Sequence, residues 1–369
     1  MPQIRPTTVH VHLDRLVANY RLMRAKMPGS TRILCPVKGD AYGHGALACA
    51  KALEAEGADA FGVALVEEGV ALREGGVKAP VLCFSGIGGR EDGAEAALRW
   101  NLTPNLFDLE SAALLNAAAR KRGHPVPVHL KVDTGMGRLG VVSGHWPVFL
   151  DRLADFEWLD VQGITTHFSS ADSDSTFTME QARRFQDALD QARQRAWNPQ
   201  VVHAANSAAA LLHPELALGM IRPGIALYGH QPAPGIQGLS PVMEVSTRVL
   251  FVKDIPANYG VSYGRRWVSE RPTRLATLPV GYADGYMRGL SNKAEVVLHG
   301  ARCPIRGTIC MDLCMVDVTD LPQVVRPGDR VELMGAAMPA EELAAHAGTI
   351  VYEILTSFSE RVPRRHVGA

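Results

Sequence analysis

The 369-residue chain contains no run of about 18 apolar residues and no apolar stretch behind its opening MPQIRPTTVHVHLDRL. Neither a membrane-spanning helix nor a secretory leader is therefore expected, and the expected location is cytoplasmic. An excess of one charge is also missing. Lys plus Arg number 38 and Asp plus Glu number 38, which removes the electrostatic footprint of nucleic-acid or membrane-surface partners. The six cysteines (35, 49, 83, 303, 310 and 314) are scattered and form no CxxC pair, so neither a disulfide framework nor a metal site is expected. Low-complexity tracts and internal repeats are absent, and no GxGxxG follows the first apolar run. What remains is an ordinary globular composition, 47% apolar and 21% charged, in a chain too long for one ordinary domain.

Residues 8–13 alternate apolar with polar, as a half-buried strand outside any parallel core does. Asp14 can cap a helix whose apolar face is Leu16, Val17, Tyr20 and Met23, closed by Pro28 and Gly29. One unit then recurs: a short apolar run, a loop and a helical pattern. The strands are expected at 33–37, 60–64, 81–84, 103–106, 126–132, 161–167, 201–203 and 220–222. Helices are expected at 65–74, 94–100, 109–121, 147–153, 179–196 and 207–212. Eight such strands alternating with helices predict a TIM-like (β/α)8 barrel, with an open doubly wound sheet as the alternative. Past residue 232 the texture becomes that of strands punctuated by turns, at 245–251, 274–278, 294–298, 315–318 and 330–333, with a short helix at 339–346. The expected domains are thus a barrel over 1–232 and a mainly β domain over 233–369, joined by a linker near 231–235. The 8–13 strand is expected to pack with the second domain.

Polar residues collect at the ends of the expected barrel strands: Lys38, Lys131 with Arg138 in the following loop, His167, the stretch from His203 to Ser207, and Arg222 to Ile225. Barrel active sites form at that face. Each residue alone has a plainer reading: a lysine reaching water, a hydrogen-bonded core histidine, an arginine in a structural ion pair, a rim charge. Their coincidence on one face favours a site. Lys38 ends an apolar run and is followed by Gly39, Gly43 and Gly45, which suits an amine held close to a ligand and able to form a Schiff base. Asn206, Ser207, Gly224 and Ile225 fall in the loops after strands seven and eight, where barrels hold phosphate; Ser207 would equally cap the helix it opens. A reactive lysine facing a phosphate cradle suggests pyridoxal 5'-phosphate.

The blocks VKGDAYGHG (37–45), KVDTGMGRLG (131–140), THFSSAD (166–172), HAANS (203–207), RPGIALYG (222–229), GVSYG (260–264), PVGYADG (279–285), ICMD (309–312) and VYEILTSFSERVPR (351–364) stand in the order and spacing of bacterial alanine racemases, which the chain resembles over nearly its whole length. The resemblance implies a pyridoxal-phosphate barrel followed by a β domain, acting as a homodimer with shared active sites. It makes Lys38 the cofactor lysine and Tyr42, Ser207, Gly224, Ile225 and Tyr352 the phosphate ligands. Arg222 would bond the pyridine nitrogen, and His167 would stand beside the ring. Tyr263 would be the second catalytic base, while Arg138 and the backbone of Met311 would hold the substrate carboxylate. Lys131 matches a lysine that some members carry as a carbamate orienting that arginine. Asp40 stands where asparagine is more frequent, and Leu313 follows ICMD where polar residues also occur; neither change removes a catalytic group.

Interconverting L- and D-alanine requires one base on each face of the substrate carbon, which fits Lys38 and Tyr263. D-Alanine for peptidoglycan, or alanine catabolism, would be the use. A broader amino-acid racemase keeps the same residues. A decarboxylase or lyase has no need of the GVSYG tyrosine. A non-enzymatic cofactor-binding protein would resemble the barrel alone, against which residues 240–369 speak.

Overall fold

The computed structural model describes residues 5–368, and its chain divides into two compact units. Residues 16–41 and 46–240 form one; residues 1–15, 42–45 and 241–369 form the other, of which 1–4 and 369 lie outside the described residues. In chain order the strands up to residue 240 are β1 (Thr8–His12), β2 (Arg32–Pro36), β3 (Ala60–Val63), β4 (Val81–Cys83), β5 (Thr103–Leu106), β6 (Val126–Asp133), β7 (Val141–Val142), β8 (Leu159–Thr165), β9 (Val201–His203) and β10 (Met220–Ile221). All but β1 belong to the first unit. They pair in parallel in the order β5-β4-β3-β2-β10-β9-β8-β6, and β5 also pairs with β6, so eight strands close on themselves. The two-residue β7 hangs on β6. This is the (β/α)8 barrel read from the sequence, with helices at Ala46–Ala55, Val66–Glu74, Glu91–Arg99, Leu109–Arg122, Trp146–Leu153, Ser175–Gln194 and Ser207–Leu212.

Short strands suffice here because they are buried on both faces and the helices supply the remaining apolar surface. Trp146 is fully buried and its indole N–H donates to the Ala188 carbonyl at 2.9 Å, fixing the helix Trp146–Leu153 against Ser175–Gln194. Tyr228, also fully buried, donates its hydroxyl proton to the Pro36 carbonyl at 2.8 Å. The helix Leu13–Lys26 begins one residue before Asp14, which lies in its first turn; Leu16, Tyr20 and Met23 are its buried face, and Val17 is only half-buried. The stretch 231–235, read as a linker, stays with the barrel unit, whose last residue is Ser240; the Asn19 amide holds Ser240 at both its N–H and its carbonyl, each at 2.9 Å.

In the second unit the strands continue as β11 (Met243–Arg248), β12 (Phe251–Ile255), β13 (Gly260–Val261), β14 (Trp267–Val268), β15 (Thr273–Leu278), β16 (Glu295–Leu298), β17 (Ala301–Pro304), β18 (Cys314–Asp317), β19 (Arg330–Met334) and β20 (Arg364–Val367). They build a six-stranded sheet β17-β16-β19-β11-β1-β20, a three-stranded sheet β12-β15-β18 and the pair β13-β14. The single strand expected over 245–251 is two. Val249 N–H bonds to Asp329 and Leu250 N–H to Thr277, both at 2.9 Å, so the chain passes there from one sheet to the next. The helix expected from Pro339 starts at Ala340, with Pro339 as its cap residue. A further helix, Val351–Ser357, carries Tyr352. No helix among the described residues is long and apolar enough to cross a membrane.

One close approach inside the barrel admits only glycine. Gly163 faces His129 across β8 and β6, and a Cβ at Gly163 would lie 2.6 Å from the His129 ring. Replacing Gly163 by Ala is expected to cost about 1–3 kcal/mol of stability through overpacking. A urea titration checks this: the midpoint falls with an unchanged slope, and an unshifted midpoint would contradict the packing.

Candidate active site

Lys38 follows the end of β2 and is half-buried. Behind it the backbone turns the wrong way for L-residues: Gly39, Asp40, Ala41, Tyr42 and Gly43 have φ of 60°, 53°, 54°, 54° and 81°. Three non-glycine residues in that conformation cost about 3–6 kcal/mol. Partners hold the turn in place. Glu68 accepts the Gly39 N–H at 2.7 Å while also accepting those of Ala64 at 2.7 Å and Leu65 at 3.1 Å. The Ala41 N–H bonds to Val37 O at 2.8 Å. Asp40 accepts the Ala46 N–H at 2.7 Å and so caps the helix Ala46–Ala55, a role an anionic carboxylate fills well. The Lys38 ammonium stands 5.8 Å from the Phe84 ring centroid. Burial, then the cations Arg138 and Arg222, lower its pKa against the opposing pull of Glu68, which favours a free amine.

Arg222 is buried beyond the end of β10 and no carboxylate pairs with it among the described residues. Its guanidinium donates instead to the carbonyls of Thr166 and Ala204, both at 2.8 Å, to Thr165 Oγ1 at 3.3 Å, to His203 Nδ1 at 2.6 Å and to His167 Nδ1 at 3.2 Å. Because a guanidinium only donates, both histidines must accept at Nδ1 and carry their proton on Nε2. His203 Nε2 then donates to His129 Nδ1 at 2.8 Å. Burial and the Arg222 charge hold His167 and His203 well below the usual imidazole pKa, and push His129 down to about 4. Burial alone lowers Arg222 to about 10, still cationic at neutral pH. The bonds recorded for Arg222 use its two terminal nitrogens, which leaves Nε–H for another acceptor.

Lys131 is buried on β6, opposite Thr165 on β8. Burial, then Arg222 and Arg138, push its ammonium down to about 7, with Asp133 opposing. Asp133 also shapes the loop that carries Arg138, accepting the N–H groups of Gly135 and Met136 at 2.9 Å and of Gly137 at 3.0 Å. Beyond β9, Asn206 rather than Ser207 caps the helix Ser207–Leu212, accepting the Ala209 N–H at 3.0 Å. This leaves the Ser207 hydroxyl to accept the Ala226 N–H at 3.2 Å, two residues past Gly224. Gly224 and Ile225 are buried, and their N–H groups donate to nothing among the described residues, an expensive state for backbone unless a ligand takes them.

The barrel unit therefore brings together Lys38, Lys131, Arg138, His167 and Arg222, with Ser207, Gly224 and Ile225 in adjoining loops. Reading the sequence missed Glu68, Phe84, Thr165, Thr166 and His129. Of these only the Glu68 position, three residues after a strand-end loop, resembles a helix-start signal.

Tyr42, Tyr352, Tyr263 and Met311 belong to the other unit. The rings of buried Tyr42 and of Tyr352 lie 5.9 Å apart, tilted by 44°, and burial raises the Tyr42 phenol. Tyr263 sits in a turn where Ser262, Gly264 and Arg265 all have positive φ; its carbonyl accepts from Thr308 Oγ1 at 2.9 Å, and the residue is 74% exposed. The Met311 carbonyl accepts the Ala283 N–H at 3.0 Å, and the Met311 N–H donates to no group among the described residues.

Two family models match the chain: alanine racemase N-terminal domain over residues 11–232 and alanine racemase C-terminal domain over 242–366. The alanine racemase of Citrifermentans bemidjiense is 43% identical, with 98% of each chain covered. The solved alanine racemase of Streptomyces coelicolor A3(2) superposes with a TM-score of 0.94 at 34% identity, covering 99% of both chains. That of Bartonella henselae with covalently bound pyridoxal phosphate superposes with a TM-score of 0.90 at 31% identity, covering 98% of this chain and 99% of its own.

The low pKa of Lys131 has a stability signature. Between about 7 and the ordinary 10.5 the unfolded chain holds a proton that the folded chain does not, so stability rises with pH in that window; below 7 the full penalty of burying the cation remains. Lys131→Met removes the group. In buffer free of carbon dioxide the parent should gain on this variant by about 1 kcal/mol per pH unit from pH 7.5 to 9, read by urea unfolding. Parallel pH profiles would overturn the assignment.

Proposed function

The chain belongs to the alanine racemase family and interconverts L- and D-alanine, and on that premise we propose how its residues divide the reaction. The cofactor we infer is pyridoxal 5'-phosphate, which the Bartonella henselae relative carries covalently. Three features of the barrel unit fit it: the Lys38 amine, the buried unacceptored N–H groups of Gly224 and Ile225, and a buried Arg222 with Nε–H to spare. Lys38 would hold the group, Ser207, Gly224, Ile225, Tyr42 and Tyr352 its phosphate, Asn206 the loop beside it, and Arg222 its ring nitrogen. When bound, it supplies an electron-withdrawing ring that acidifies the Cα–H of an attached amino acid.

Lys38 Nζ then moves the proton on one face of Cα and Tyr263 Oη on the other. Arg138 and the Met311 N–H orient the substrate carboxylate. His167, with Nδ1 taken by Arg222, offers Nε2–H to orient the tyrosine. Arg222 does not give up its proton, so a ring nitrogen facing it stays unprotonated, which weakens electron withdrawal and limits transamination or elimination. Lys131, neutral at slightly alkaline pH, can add carbon dioxide with loss of one proton, and the carbamate would give Arg138 an anionic partner in place of a repelling cation. The observation that carries this reading is Arg222: a buried guanidinium with no carboxylate partner among the described residues, wired to His167 and lying at the strand ends beside Lys38.

Tyr263, 74% exposed in its own chain, is read as serving the barrel of a second copy in a homodimer. In this division the domain of residues 1–232 binds the cofactor and that of 233–369 brings the second base. Supply of D-alanine to peptidoglycan, in the cytoplasm, is the use we infer.

Mixing inactive Lys38→Ala and Tyr263→Phe chains should restore activity, because each heterodimer holds one intact site. A statistical mixture should recover about a quarter of the parent sites. Copurification of differently tagged chains establishes exchange. Heterodimers that form and stay inactive would remove Tyr263 from its role.

A further inference from the structure

One face of the six-stranded sheet sets one arginine opposite another and places a third beside a histidine. Arg248 on β11 is directly opposite Arg330 on β19, and His10 on β1 lies between Arg365 on β20 and Glu244 on β11. Facing like charges destabilise a sheet. The three arginines and His10 border a cleft of about 330 Å³, joined by Arg5 and by the hydroxyl of Ser246, which lies 3.3 Å from His10 Nε2. No carboxylate lines this cleft among the described residues. The acids on the neighbouring strands are committed elsewhere. Glu244 takes Arg15 at 2.9 Å and His12 at 3.4 Å. Glu332 accepts the N–H groups of Ala337 at 2.9 Å and Met338 at 3.3 Å. Asp284 pairs with Arg5 at 2.6 Å, which takes Arg5 largely out of play. Arg248 donates to the Gly328 carbonyl at 2.8 Å, which holds its guanidinium in place, and the Arg330 side chain makes no hydrogen bond or ion pair among the described residues. Burial, then Arg330 and Arg365, lower the His10 pKa against the opposing pull of Glu244.

We propose that this cleft binds a small polyphosphorylated anion, a molecule with two or more linked phosphate groups. The arginines stand on β20, β11 and β19, with His10 on β1 among them, four adjacent strands with a breadth of about 14 Å. A lone phosphate reaches one neighbouring pair; a phosphate chain spans them all. Guanidiniums match phosphate oxygens two at a time, and three of them in one cleft select charge above that of a single carboxylate. The arginines are exposed, so binding weakens as salt rises.

The probe is inorganic tripolyphosphate, titrated calorimetrically into the cofactor-loaded enzyme so that the active-site phosphate loops are already filled. At about 50 mM salt one saturable site per chain is expected, with orthophosphate about tenfold weaker or more. The double variant R248Q/R330Q should lose tripolyphosphate affinity by about tenfold or more while keeping racemase activity, which reports an intact fold. R271Q, a cation outside the cleft, should keep the parent affinity. Tripolyphosphate should also raise the melting temperature of the parent and not of the double variant. The proposal is overturned by absence of saturable binding, by equal affinity in parent and double variant, or by orthophosphate binding as tightly as tripolyphosphate.

Discussion

A guanidinium buried without a carboxylate is the constraint on which the barrel's chemistry depends. Taking such a charge out of water costs several kcal/mol, and an acid partner would be the ordinary remedy. Arg222 is solvated by dipoles: two carbonyls, a threonine hydroxyl and two imidazoles. The uncancelled charge then spreads its influence. It fixes where His203, His129 and His167 carry their protons, and it adds to burial in lowering the pKa of Lys131 and of Lys38. Gly163 is part of the same arrangement, since only a missing Cβ lets His129 reach His203. A carboxylate beside Arg222 would relieve the electrostatics and raise the pKa of both lysines again.

The lysine's own anchorage is strained rather than relaxed. A backbone in the left-handed region persists only when its surroundings over-determine it. Here Glu68 grips the first residue of the turn, and the last part lies with the second unit, where Gly43 O accepts from Arg364 Nε at 3.2 Å and His44 O faces His366 Nε2 at 2.8 Å. Asp40 belongs to this device through its cap on Ala46.

All eight barrel strands were legible because each is a short apolar run between turn signals, and their ends located Lys38, Lys131 and Arg222. His167 lies two residues beyond the end of β8, so the strand read over 161–167 was placed slightly late. His129 was invisible: within VPVHLKVD it reads as one polar position of an alternation, and only the ring closure of the barrel sets it beside His203. β20 was missed for a related reason. RRHV has no apolar alternation, and its ladder comes from backbone bonds to β1 rather than from side-chain pattern. The reversed turn after Lys38 was foreseen at its glycines and not at Asp40, Ala41 and Tyr42, whose conformation is imposed by distant partners.

β1 occupies an unusual place in time as well as in space. Its neighbours in the six-stranded sheet are β11 and β20, the first beginning at Met243 and the second spanning Arg364–Val367. On a ribosome adding 5–20 residues each second, the first of these partners is made roughly 10–50 s after β1, and the second later still. The whole barrel sequence is translated in that interval. Val9 and Val11, fully buried in the finished sheet, must spend it without their partners. The nascent chain therefore carries an unpaired apolar strand until β11 and then β20 have been made, a natural foothold for a chaperone that binds extended segments.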